Sequence, residues 1–154
     1  MKRWMAIAAI PLMLSACDDG EETGDGMADD GMSARACDNE DRDDFAIGVE
    51  RAGSTLTLEI HDAMPSDPIR GDNAWMVGVA RDGEMLPGAE ISVRPWMPDH
   101  GHGTPVEIGI TDMGDGEYML DPLNLFMAGL WEVHVTATLE DGTEEEVVFH
   151  ACVE

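Results

Sequence analysis

Lysine is almost absent from this chain of 154 residues: Lys and Arg together number 8 against 33 Asp and Glu, for a formal net charge of −25. A field of that sign excludes nucleic acid and anionic lipid headgroups as partners recognised through the protein's own charge, and it gathers cations at the surface. Aromatic residues make up only 5%. No apolar run reaches the roughly 20 residues that a membrane-spanning helix requires. No G-x-S-x-G element occurs, the few serines have no His nearby in the chain, and D-x-D-x-D-G loops are missing. These absences speak against a nucleophilic hydrolase and a calcium-loop protein. A blue-copper carrier needs a Cys followed closely by His and Met ligands, whereas Cys152 is followed only by Val153 and Glu154. A non-enzymatic protein is expected.

What is present begins with an address. Lys2 and Arg3 precede the apolar stretch "WMAIAAIPLMLSA", which is long enough for a signal peptide and too short to span. Leu14-Ser15-Ala16-Cys17 resembles the bacterial lipobox. The resemblance implies that residues 1–16 are a lipoprotein signal peptide and that Cys17 is acylated, which would anchor the chain to a lipid membrane in the cell envelope, facing the periplasm or the cell surface. Asp18 after that cysteine resembles an inner-membrane retention signal. Removal of the leader leaves six Arg and no Lys against 33 acidic residues, a net of −27.

Two cysteines then remain, Cys37 and Cys152, and in an exported chain an even remainder reads as one disulfide. Between Asp18 and Asp44, twelve of twenty-seven residues are acidic and none is aromatic. Such a stretch buries too little apolar surface to offset its ordering entropy, so residues 17–44 are expected to be a self-repelling tether and residues 45–154 the folded domain.

Short alternating runs separated by Gly, Pro, Asp and Asn give that domain an all-β pattern. They are "FAIGVE" (45–50), "TLTLEIHDA" (55–63), "NAWMVGVARD" (73–82), "AEISVRP" (89–95), "VEIGITD" (106–112), "GEYMLD" (116–121), "LWEVHVTATLE" (130–140) and "EEEVVFHACV" (144–153). Gly114-Asp115-Gly116 and Asp141-Gly142 signal hairpins. The fold expected is an immunoglobulin-like antiparallel β-sandwich of about seven to eight strands, with Trp75 and Trp131 filling the core.

Five stretches together resemble the YtkA-like/FixH-like domain family: "GDNAWMVGV" (71–79), "DGEMLPGAEISV" (82–93), "MPDHGHG" (97–103), "DGEYML" (115–120) and "MAGLWEVHV" (127–135). The resemblance implies a β-sandwich and an association with metal handling, copper above all. A lipobox and tether stand here where FixH-type proteins have a transmembrane helix.

The chemistry-bearing stretch is "WMPDHGHG" (96–103). In extended chain His100 and His102 point the same way, and with Met97 they form a soft-to-borderline donor set suited to copper. Met113 and Met127 are candidate thioethers to complete it, and Asp99 is a carboxylate that zinc would require. The alternative leaves both histidines as plain loop residues. His134 should face solvent, and His61 and His150 lie in strands without evident partners. Two functions follow: a membrane-anchored accessory domain that binds another envelope protein, or a copper-binding or copper-delivering lipoprotein.

Overall fold

The computed structural model describes residues 36–38 and 40–154. The expectations for the leader, for Cys17 and for most of the acidic segment fall outside the described residues. Ten strands follow in chain order: β1 (Glu50–Ala52), β2 (Thr57–Met64), β3 (Gly71–Arg81), β4 (Glu84–Met85), β5 (Glu90–Met97), β6 (His102–Gly103), β7 (Ile110–Gly114), β8 (Glu117–Leu125), β9 (Gly129–Thr138) and β10 (Glu144–Val153). They form two antiparallel sheets. One has the order β1-β2-β3-β8-β7 with β4 against β3, the other the order β10-β9-β5-β6.

Alternation determines which side of each strand turns inward, because successive side chains leave a strand on opposite faces. Trp75, Val77 and Val79 from β3 meet Trp131, Val133 and Val135 from β9, and all six are fully buried. The expected all-β sandwich is therefore present, with both tryptophans in its core. The period slips once on β8, where Leu120 and Leu123 both point inward although three residues apart. The ladder with β3 shifts register there, between Asn73 and Trp75, beside Pro122, which lacks the N–H that an unbroken ladder would use. Tyr118 is buried as well, and its hydroxyl oxygen accepts the Ala89 N–H at 2.8 Å.

Two hairpins have two-residue loops, Asp82-Gly83 and Asp115-Gly116, with φ of 55° and 81° and of 53° and 88°. Positive φ at both positions matches the type I′ turn, whose twist suits the flanking strands. Two expected strands are shorter than their sequence patterns. In "FAIGVE" only Glu50 enters β1, because the Val49 N–H closes a turn on the Ala46 carbonyl and Gly48 takes φ 87°. In "VEIGITD" pairing begins at Ile110, since residues 104–109 carry the chain from one sheet to the other.

The folded part also begins before Phe45. Cys37 is bonded to Cys152 across a sequence separation of 115 residues, Asp43 accepts the Cys152 N–H at 3.2 Å, and Asp44 pairs with Arg51. Specific partners hold this acidic stretch against β10, which its composition does not reveal.

Candidate functional site

The "WMPDHGHG" stretch is a β-hairpin. Met97 on β5 stands opposite His102 on β6, and Pro98 to Gly101 form a four-residue loop. The amides of His100 and Gly101 donate to the Met97 carbonyl at 3.2 and 2.8 Å, and Gly101 closes the loop at φ 70°. Directly opposed residues share a face of the ladder. Met97 is fully buried, so His102 turns inward too, with its ring 5.7 Å from Phe126 and 6.4 Å from Trp131. The rings of His100 and His102 lie 5.7 Å apart.

An ion about 2.0 Å from an imidazole nitrogen sits about 3 Å from the ring centre, so rings sharing one ion have centres about 5–6 Å apart. The observed spacing falls within that range. His102 Nδ1 lies 3.2 Å from the Gly103 carbonyl oxygen. Donation to that oxygen would place the proton on Nδ1 and leave Nε2 with the lone pair a metal requires.

The remaining candidate ligands separate by position. Met97 stands opposite His102 across the ladder, on the same face. Met127 is at the same end of the sandwich, where its carbonyl accepts the Trp131 indole N–H at 2.9 Å. Met113 is not brought there. It precedes Gly114, which pairs with Glu117 at the start of β8, whereas Phe126 follows the far end of that strand, about 30 Å away at the rise of a β-strand. Asp99 is half of an ion pair with Arg42, at 3.1 Å, and Arg42 in turn binds Glu40 at 2.7 Å. The hydrogen bond from Arg42 holds the Glu40 carboxyl below its ordinary range. Among the described residues no group of three or more His, Cys, Asp or Glu side chains is placed to hold a metal. The further side-chain donors at this end of the sandwich are the thioethers of Met97 and Met127.

The other histidines do have partners. His134 Nδ1 lies 2.9 Å from Glu146 and Nε2 3.5 Å from Glu132. His61 is bracketed in the same way by Glu117 at 2.8 Å and Glu59 at 3.4 Å. In each case the carboxylates engage opposite nitrogens, so they do not converge on one point. His150 faces Asp44 at 3.7 Å. The signal was in the sequence: "EIH" and "EVH" place Glu and His two apart, on one face of a strand.

A second feature lies along β5. That strand pairs with β9 throughout but with β6 only at Trp96 and Met97, so among the described residues its edge from Glu90 to Pro95 has no strand beside it. A groove of about 470 Å³ follows that edge, lined by Ile91, Val93 and Trp96 and, across it, by Val106, Ile108 and Ile110. Val106 and Ile110 are exposed. The Arg94 guanidinium lies 5.9 Å from the Trp96 ring, a cation in a strongly acidic molecule.

A family model described as YtkA-like matches residues 55–136, more than half of the chain. The match runs from just ahead of β2 into β9 and takes in the His100–His102 hairpin and the β5 edge. No curated protein matches the chain.

Proposed function

The chain belongs to the YtkA-like family, and from that premise we propose that it is an exported accessory module, held at a membrane through acylated Cys17, that works by binding and not by turnover. The observation that carries this reading is the open edge of β5 beside an apolar groove. An unpaired strand edge offers main-chain donors and acceptors to an added strand, and pockets beside it select alternate side chains. The partner that fits is an extended segment of another envelope protein with apolar residues at alternate positions. Photo-crosslinking in cells tests this, with the reactive residue at Ser92 or Glu107 and, as control, at Asp72 on the other sheet. One defined protein captured from the first two positions and not from the third supports the reading. Equal capture from all three refutes it.

The spacing of His100 and His102 favours a second reading, in which the β5–β6 hairpin takes up copper. Two imidazoles at a shareable distance, with Met97 opposite His102, form a set in which nitrogen suits either oxidation state and sulfur favours Cu(I). Copper so held would be cargo or a structural ion. Titration of the full chain with Cu(II) and Cu(I) against a competing chelator tests it. Affinity should fall by about tenfold or more in His100→Ala/His102→Ala, which corresponds to about 1.4 kcal/mol or more. Unchanged affinity in that variant removes the hairpin from consideration.

A further inference from the structure

The outer face of the first sheet carries a second group of sulfur donors, remote in sequence from the hairpin. Met76 on β3 stands directly opposite Met119 on β8. Met64 on β2 pairs with Ala74, two residues before Met76, and is therefore its diagonal neighbour on the same face. Met64, Met76 and Met119 line a depression of about 190 Å³ together with Ala74, Asp62 and Asp121.

This composition is unusual for its place. An antiparallel sheet with one solvated face places polar residues there, and Glu59, Asp72, Glu117 and Asn124 follow that rule on the same strands. Met64 breaks it at 74% exposure, and Met76 and Met119 are half-buried on the same face. No core requirement accounts for them, since the buried positions beside them are filled by Trp75, Tyr118 and Leu120.

Thioether sulfur is a neutral, polarisable donor that binds soft cations and has little affinity for Mg or Ca. Opposed residues have Cβ atoms about 5 Å apart, and the flexible methionine side chain can bring two sulfurs together across that gap. We infer that Met64, Met76 and Met119 form a binding site for a soft monovalent cation, Cu(I) or Ag(I), on the outer face of the first sheet. The Asp62 and Asp121 carboxylates draw the cation in and offset its charge without having to ligate it. This site lies on the other sheet from the histidine hairpin and shares no residue with it.

The test is titration of the full chain with Ag(I), which needs no reductant, and with Cu(I) under reductant, read by the ε-methyl NMR signals of the methionines. In the wild type the methyls of Met64, Met76 and Met119 should shift together. In Met64→Leu/Met76→Leu/Met119→Leu, which keeps the apolar volume, affinity should fall by about a hundredfold or more, equivalent to about 2.7 kcal/mol or more, while His100→Ala/His102→Ala should retain those shifts. A patch that serves only to dock another protein would survive the leucine substitutions. Metal affinity unchanged in the leucine variant, or wild-type shifts confined to other methionines, overturns the proposal.

Discussion

Gly129 closes on Met97 at a φ of 123° that side chains rarely adopt: a Cβ added to it would stand 3.0 Å from the Met97 Cε. The start of β9 thus packs against the residue that stands opposite His102. Gly129→Ala must strain the backbone and displace the end of the Met97 side chain, the residue opposite His102. It is expected to cost about 1–3 kcal/mol in urea unfolding and to shift the His102 ring signals by NMR, whereas Gly142→Ala, with open space around it, should leave those signals in place.

Asn73 is a buried polar residue of the core, and both ends of its amide are bonded. Its Oδ1 accepts the Ile69 N–H at 2.9 Å, while Nδ2 donates to the carbonyls of Ile69 and Gly71 at 2.9 and 3.0 Å. Asn73→Ala leaves those groups without partners and should lower stability by about 1–3 kcal/mol. Denaturant unfolding measures it, and hydrogen exchange at Ile69 should accelerate.

The Cys37–Cys152 bond closes a loop of 115 residues. Cys37→Ser/Cys152→Ser should lose about 2–5 kcal/mol. The denaturant slope should rise at the same time, because the unlinked chain exposes more surface when it unfolds.

Asp141 is held at a pKa of about 2, from an ordinary 3.8, first by the Thr143 side chain, then by the Thr143 N–H and by Arg81. A depressed carboxylate contributes stability in full above its unfolded value and loses it as pH falls through the folded one. The contribution of Asp141 to the turn between β9 and β10 should therefore be full above about pH 4 and fade as pH falls towards 2, where its carboxyl titrates. The Asp141 carboxyl carbon signal measures the midpoint, which should rise in Thr143→Val.

Much of the sandwich was legible in the sequence because a half-buried strand writes its burial in a period of two, as "WMVGV" and "LWEVHV" do. The ends of strands were not. Where β1 starts depends on a turn closed by backbone atoms, and where β7 starts depends on where residues 104–109 cross between sheets. Local patterning encodes neither. The hairpin's histidines were visible as neighbours, but the pairing of Asp99 with Arg42, 57 residues away, was not. Met64, Met76 and Met119 lie on three strands and meet only through the register of the ladder. Their one local sign was that each alternates with a core residue and points outward.

The disulfide also determines how the domain bears load. Tension applied to the chain ahead of Cys37 bypasses the three-residue β1 and passes through a covalent bond to Cys152 near the end of β10. That strand is zipped to β9 over ten consecutive pairs. A pull from the N-terminal side therefore meets the longest ladder among the described residues, and the short edge strand that would otherwise peel first is spared.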